Sequence, residues 1–147
     1  MIYRVNTDKE TEQIGAKLAQ MLIKLGKKRA YIAMRGEMGV GKTVFTRGFA
    51  SQLGIVGIKS PTYTIVNEHR GYGVKLYHFD LYRIADEDDL ESIGYYEYVE
   101  GDGYSVVEWS ERVPECIPED AITVTISRTP DNDEWRDIEI TGIDMEG

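Results

Sequence analysis

The first third of the chain carries apolar residues at helical spacing, then in one short continuous run, then at helical spacing again. Between positions 7 and 25 they recur every three or four places, which predicts a helix. The stretch "RAYIAMRG" (29–36) predicts a short apolar strand, and "KTVFTRGFASQLG" (42–54) predicts a second helix. A glycine-rich connection therefore joins a strand directly to a helix.

The pattern changes in the middle of the chain. Residues 62–82, "TYTIVNEHRGYGVKLYHFDLY", contain two runs of β-branched and aromatic residues around a glycine-containing turn at 70–73, which predicts a β-hairpin. Residues 86–99 predict a helix, because acids fill its first turn, where the helix dipole favours them. The segment "YSVVEW" (104–109) predicts a short buried strand.

Two later segments, 121–128 and 135–142, alternate apolar and polar residues, as paired strands at the edge of a sheet do. Parallel strands connected by helices and followed by antiparallel strands predict an α/β domain with a mixed sheet. The length of 147 residues fits one domain that spans positions 1–147.

Composition narrows the range of partners. A formal net charge of −9 disfavours tight, unaided binding to nucleic acid, because neutralising phosphates requires clustered Lys and Arg. The one basic cluster, "KLGKKR" at 24–29, is expected at a helix end. The single cysteine, Cys116, excludes an internal disulfide. No apolar run approaches the roughly 20 residues of a membrane span, and "MIYRVNTDKE" lacks the layout of a secretion signal, so we expect a cytoplasmic protein.

The glycine-rich connection carries the most specific chemistry. "GEMGVGKT" matches the phosphate-binding pattern G-x-x-x-x-G-K-[ST] in full. Its glycines let successive N–H groups point at phosphate oxygens, Lys42 adds a positive charge near the terminal phosphates, and the Thr43 hydroxyl can bind Mg²⁺. A strand before it and a helix after it predict a P-loop NTPase-type three-layer domain. The predicted nucleotide-binding residues of the loop are Gly36, Glu37, Met38, Gly39, Val40, Gly41, Lys42 and Thr43.

Two motifs that are absent from the sequence favour ATP over GTP and argue against a small-molecule kinase. A guanine-specific GTPase is expected to carry an N-K-x-D signature late in the chain, which this sequence lacks, so ATP is favoured over GTP. Small-molecule kinases with this loop usually carry an arginine-bearing lid, and no segment of that type is found.

Two carboxylates compete as metal ligands. Such an acid usually ends a buried strand beside the loop strand, and Glu108 follows Val106 and Val107 in that manner. Asp80 follows "VKLYHF", whose alternation suggests a strand with one buried face. Glu108 is therefore favoured as the ligand nearer to Mg²⁺. Asp80 could bind the ion through water, position the attacking water, or merely cap a turn or pair with Arg83.

Two aromatic side chains lie close to these acids in the sequence, and one of them is open to two interpretations. His78 is expected to be a packed strand residue and receives no catalytic role. Trp109 follows Glu108 directly and is either core or in contact with the nucleotide.

The motifs together resemble a known family. The stretches "GEMGVGKT", "SPTYTIVNEH", "YHFDLYRI", "LESIGYYEYV" and "VVEWSERV", in this order, are similar to the bacterial tRNA threonylcarbamoyladenosine-biosynthesis ATPases of the TsaE type. The resemblance implies a small ATPase that serves a complex of the threonylcarbamoyl transferase and its non-catalytic homologue. These partners, rather than this chain, would grip the tRNA, so its contact with tRNA would be indirect.

The resemblance also implies roles for single residues. Thr62 and Thr64 would lie in a switch-like segment that senses the terminal phosphate. Asp80 and Glu108 would be the two acids of the metal and hydrolysis site, with Lys42 on the phosphates and Trp109 beside the nucleotide. A proline is expected after the Glu-Trp pair in many relatives, and Ser110 stands here instead, which puts the local loop shape in question.

Two other functions remain open from the residues alone. One is a small-molecule kinase that uses the same loop, and the other is a nucleotide-binding scaffold without turnover. The sequence offers no obvious arginine finger, so we expect slow hydrolysis by the isolated chain.

Overall fold

The computed structural model describes residues 1–59 and 65–146. Its strands are β1 (Ile2–Val5), β2 (Arg29–Arg35), β3 (Val66–Arg70), β4 (Lys75–Asp80), β5 (Gly103–Glu108), β6 (Ile122–Arg128) and β7 (Arg136–Thr141). Its helices are α1 (Asp8–Lys24), α2 (Lys42–Ser51), α3 (Glu87–Ser92) and α4 (Tyr95–Glu100), with 3₁₀ turns at Ser110–Arg112 and Pro114–Cys116.

The strands of this described part form one mixed sheet in the order β1-β7-β6-β2-β5-β4-β3. Its centre is parallel: β2 lies between β5 and β6, and β4 pairs with β5. Its flanks are antiparallel, through the pairs β1–β7, β6–β7 and β3–β4. The predicted α/β fold with a parallel core and antiparallel strands is confirmed.

The sheet edge differs from the prediction. The strands predicted at 121–128 and 135–142 do pair, as β6 and β7, but neither is the outermost strand because β1 pairs with β7. The sequence pattern did not reveal β1. Its sequence, IYRV, contains strand-forming residues, but it is only four residues long and only Val5 is buried.

One face of the sheet is covered by α1 and α2. The two helices approach each other closely at Gly15 and Gly48. A Cβ on Gly15 would lie 2.1 Å from the Phe45 carbonyl oxygen, and one on Gly48 would lie 2.0 Å from the Glu12 carbonyl oxygen. Their buried side chains pack with alternate residues of β2 into one apolar core. This packing fixes the start of α2, and with it the end of the glycine-rich loop.

The opposite face is aromatic and is covered by α3 and α4. The prediction of a single helix at 86–99 is wrong. Two short helices form instead, and Gly94 between them adopts a left-handed conformation (φ 76°). Behind them, the Tyr95 hydroxyl donates a 2.7 Å hydrogen bond to the Tyr31 hydroxyl, and the Phe79 and Tyr95 rings meet edge to face. Helices on both faces give three layers.

The expectation of a single buried face for β4 is also wrong. Leu76, Tyr77, His78 and Phe79 are all buried, because β4 is paired on both sides and covered on both faces. Asp80 therefore ends a strand about as enclosed as β5.

Among the helices in the described ranges, none is long and apolar enough to cross a membrane.

Candidate functional site

The glycine-rich loop joins the carboxyl end of β2 to the first residue of α2. Gly36, Gly39 and Gly41 have φ angles of 147°, 80° and 113°, which side-chain-bearing residues rarely adopt. Gly41 also precedes α2 and has no side chain to cap it, so the first N–H groups of the helix need other acceptors. Together the loop and the helix start form a cradle suited to an anion.

The Lys42 side chain reaches back across this loop from the start of α2 to Gly36. It is the first residue of α2 and is only 8% exposed. Its Nζ donates a 2.8 Å hydrogen bond to the Gly36 carbonyl oxygen and lies 3.7 Å from Oε1 of Glu108. The ammonium also lies 5.0 Å from the centroid of the Trp109 ring. The cation is therefore held at the point where the loop, β5 and the residue after β5 meet.

The two competing acids lie side by side. β5 runs parallel to β2 and places Glu108 opposite Met34, whereas β4 runs parallel to β5 and places Asp80 opposite Glu108. Both carboxylates therefore stand at the carboxyl end of the parallel strands, where ligands of α/β sheets usually bind. Glu108 is 7% exposed, and Asp80 is half-buried.

Asp80 also stabilises the turn that follows its strand. Its Oδ1 accepts a 3.0 Å hydrogen bond from the Tyr82 N–H, which is the turn-capping role considered above. The turn engages one of the two carboxylate oxygens. A role for Asp80 in metal or water binding stays a prediction.

Trp109 has an unusual backbone. With φ at 66° it is the only non-glycine residue with positive φ in the described part of the chain. Its half-buried ring packs against the aromatic core and contacts both the Lys42 ammonium and the Tyr82 ring, whose centroid is 5.1 Å away. Such a conformation costs free energy and persists only where the surroundings enforce it. Contact with a nucleotide stays a prediction for this side chain.

His78 joins the site, although sequence reasoning assigned it no role. The imidazole is fully buried, and its Nε2 lies 2.8 Å from Oε2 of Glu108. The only signal in the sequence was a polar residue within a strand whose neighbours are apolar. Its partner lies thirty positions away.

A cavity of about 230 Å³ borders the loop, and Glu108 is not among the residues that line it. Thr7, Asp8, Gly39 and Arg136 are among the residues that line it. Arg136 also donates from Nε to the Val40 carbonyl oxygen at 3.1 Å. No motif in the sequence indicated that these distant segments would meet at the loop.

Two larger cavities lie away from this site. One of about 470 Å³ is lined by Arg29, Val99 and Cys116 among others, and one of about 740 Å³ by residues that include Lys75 and Gly103. Both lie toward the amino ends of the strands and neither contains a loop residue. Since the buried charged groups Lys42 and Glu108 lie at the loop, it is the candidate functional site. Thr62 and Thr64, the predicted phosphate-sensing residues, lie outside the described residues.

Comparison with known proteins identifies the family. A family model described as threonylcarbamoyl adenosine biosynthesis protein TsaE matches residues 5–138. The chain belongs to the TsaE family. It is 41% identical to the tRNA threonylcarbamoyladenosine biosynthesis protein TsaE of Haemophilus influenzae over 130 residues, which cover 87% of this chain and 80% of that protein. It is 38% identical to the Bacillus subtilis protein of the same name over 142 residues, covering 96% and 85% of the two chains.

The fold of this TsaE-family chain also matches a solved structure. The crystal structure of Bacillus subtilis YdiB superposes with a TM-score of 0.76 and 32% sequence identity, covering 94% of this chain and 82% of that one. The family resemblance predicted from the motifs is therefore confirmed over nearly the whole chain.

Proposed function

We propose that this protein is a Mg²⁺-dependent ATPase required to form threonylcarbamoyladenosine in tRNA. It would act within a complex with the threonylcarbamoyl transferase and the non-catalytic homologue of that transferase. The observation that carries this proposal is the pair of Lys42 and Glu108, both buried and 3.7 Å apart at the mouth of a phosphate-binding loop. The pair occurs in a chain of the TsaE family.

Phosphate binding would be the task of the loop and of Lys42. The ammonium now donates to a neutral carbonyl, that of Gly36. A phosphate oxygen is the stronger acceptor for the ammonium, because it carries a negative charge that the carbonyl oxygen lacks. We therefore expect Lys42 to exchange the Gly36 carbonyl and Glu108 for the terminal phosphates.

The oxygen ligands at the loop suit a magnesium ion. Nowhere within 1–59 and 65–146 do three or more His, Cys, Asp or Glu side chains form a metal cluster. Mg²⁺ does not require one, because it is usually held by one or two carboxylates together with substrate phosphates and water. Thr43 and Glu108 would hold the ion, and Asp80 would reach it through water. When bound, Mg²⁺ neutralises negative charge on the phosphates during hydrolysis.

Asp80 is the better placed acid for positioning water. It is more exposed than Glu108, and its backbone lies directly opposite that of Glu108. The carboxylate oxygen not used by the Tyr82 turn can accept a hydrogen bond from a water molecule. In this assignment Asp80 orients the attacking water, and Glu108 stays with the metal.

The adenosine part of ATP would occupy the space beside the loop. The 230 Å³ cavity at Thr7, Gly39 and Arg136 adjoins the loop, and the Trp109 ring lies 5.0 Å from the Lys42 ammonium. The missing N-K-x-D signature supports adenine rather than guanine.

Reconstitution tests the proposal. The chain is combined with the transferase, its homologue, the enzyme that makes the activated threonylcarbamoyl group, tRNA and ATP, and modified adenosine is counted over several rounds. We expect multiple-turnover modification only when this chain is present. Equal modification without it would overturn the proposal. Transfer of phosphate to a metabolite would indicate a kinase, and full activity of Lys42→Ala and Glu108→Ala variants that no longer hydrolyse ATP would indicate a scaffold.

A further inference from the structure

We propose that His78 is a positioning residue that orients the Glu108 carboxylate for metal binding. This inference rests on the proposed function, since it concerns how Glu108 is prepared for the ion. It assigns a task to the one fully buried histidine of the described chain, which the mechanism above does not use.

The sheet register brings the two side chains together. On the paired parallel strands β4 and β5, His78 lies opposite Val106, and Glu108 follows two residues later. Because side chains alternate along a strand, Val106 and Glu108 point to the same face. His78 points to that face as well and reaches forward to Glu108, with 2.8 Å between Nε2 and Oε2. The contact depends on two strands held in one register.

The contact divides the two oxygens of Glu108 between different partners. Oε2 faces His78 Nε2, and Oε1 faces the Lys42 ammonium at 3.7 Å. If Lys42 turns to the phosphates, Oε1 loses its partner and becomes available to the ion, whereas Oε2 stays held by His78. A carboxylate fixed through one oxygen offers the other in a defined direction.

The hydrogen-bond pattern around the imidazole supports a donor role. Glu108 can only accept when ionised, so Nε2 must carry the proton in this contact. In the neutral ring Nδ1 is then an acceptor, and it has no hydrogen-bond partner among the described residues. Among the described residues, His78 therefore makes its one polar contact through Nε2, to the carboxylate.

The alternative is that the pair serves only the stability of the core, since a buried carboxylate needs a hydrogen-bond partner. The two roles differ in what they change. A purely structural histidine would alter stability and leave the metal affinity of the folded protein intact. A positioning histidine alters metal affinity through Glu108 and only through it.

The test compares His78→Gln with His78→Asn. The Gln amide can approach the place of Nε2 and keep a donor for Glu108, whereas the Asn amide is one methylene shorter and cannot reach. Mn²⁺ serves as the metal probe. It is titrated into protein loaded with a non-hydrolysable ATP analogue, and electron paramagnetic resonance measures the free Mn²⁺. Binding of the analogue without metal is measured in parallel. His69→Asn, at the other histidine of the chain, is the matched control.

We expect His78→Asn to weaken Mn²⁺ binding about tenfold to a hundredfold, the usual range for outer partners of metal ligands. His78→Gln should stay within about threefold of the unaltered protein, and analogue binding without metal should not change. In a Glu108→Gln background, His78→Asn should have no further effect on Mn²⁺ affinity. This last result separates action through Glu108 from general loosening of the core.

Unchanged Mn²⁺ affinity in His78→Asn would overturn the inference. So would an equal loss in His78→Gln, or an undiminished effect in the Glu108→Gln background. If the unaltered protein with bound analogue takes up no Mn²⁺, the proposed function fails and this inference fails with it. If the unaltered protein and His78→Asn bind Mn²⁺ equally well, the inference about His78 fails and the proposed function stands.

Discussion

The ion pairs at the two ends of the parallel strands differ in burial. At the carboxyl end, where β2, β4 and β5 finish, Lys42 and Glu108 lie 3.7 Å apart with side chains only 9% exposed. At the amino end, where these strands begin, Arg29 and Asp120 form a much shorter contact of 2.6 Å, but their side chains are 34% and 66% exposed. The shorter ion pair is the one that faces water.

The difference shows that burial, rather than distance, separates a site from a surface contact. Exposed pairs contribute little to stability, because water screens the attraction and the side chains lose freedom on pairing. Buried charges interact strongly with each other and with any ion that enters. The carboxyl end also bears the left-handed Trp109, a conformation that its surroundings must enforce.

The largest expected effect comes from removing the buried cation. Lys42→Ala should lower ATP hydrolysis in the reconstituted complex by about 10²–10³-fold, the range seen when one preorganised charge-stabilising donor is lost. Phosphate release at saturating ATP is the measurement. Arg29→Ala at the amino end is the matched control and should hydrolyse at the unaltered rate. Similar losses in both variants would contradict the distinction between the two ends.

The second effect is on stability. Glu108→Ala leaves Lys42 without its buried partner and should lower the free energy of unfolding by about 3 kcal/mol. Asp120→Ala breaks the exposed pair and should cost about 0.2–1 kcal/mol. Urea unfolding without nucleotide measures both. Equal costs, or a larger cost at Asp120, would show that exposure does not govern these pairs.

A smaller, spectroscopic effect follows from the position of Trp109. The Lys42 ammonium lies 5.0 Å from the centre of its ring, so movement of Lys42 to phosphate should change the indole emission. Addition of an ATP analogue and Mg²⁺ should alter tryptophan fluorescence in the unaltered protein and in Trp135→Phe. The change should be lost in Trp109→Phe. A signal that follows Trp135 instead would place the bound nucleotide away from Lys42.

The smallest expected effect concerns a second exposed pair, which extends the comparison to another part of the sheet. Hydrogen bonding to Arg4, 2.9 Å away, lowers the pKa of Asp137 below its ordinary value of 3.8. The pair joins β1 to β7. Because the folded-state pKa is the lower one, its stabilisation is present above pH 3.8 and is lost as the pH falls through the folded value.

Asp137→Asn should therefore lower the urea midpoint slightly at pH 7 and have a smaller effect near pH 3. Glu139→Gln, on the same strand and exposed, is the control for a general change of charge. A larger effect of Asp137→Asn at pH 3 than at pH 7 would reverse the expected sign.

The sequence was most informative where the chemistry is local. The loop pattern places Gly36, Lys42 and Thr43 within eight positions, and a strand and a helix frame it. Glu108 was also favoured from its own short strand, since an acid after two valines at a strand end is a local pattern. These features need no knowledge of how distant segments pair.

The contacts that complete the site depend on tertiary packing. His78 read as a packed strand residue, because its partner Glu108 belongs to another strand and their register is set by the whole sheet. The alternation in "VKLYHF" suggested one exposed face, but β4 is paired on both sides and covered on both faces, and the buried His78 is satisfied by its contact with Glu108. The cavity beside the loop is lined by residues from segments far apart in the sequence, including Thr7, Gly39 and Arg136. Gly94 is a different case, because the signal was local. A glycine commonly ends a helix, yet one continuous helix was predicted across it.

A structure with a non-hydrolysable ATP analogue and Mg²⁺ tests the central claim most directly. The claim is that the buried charges at the carboxyl end are the Mg²⁺–ATP site. It predicts that Lys42 Nζ leaves the Gly36 carbonyl for a phosphate oxygen, and that Glu108 contacts the ion directly or through one water. A nucleotide bound elsewhere, with the Lys42–Gly36 and Lys42–Glu108 contacts intact, would contradict it.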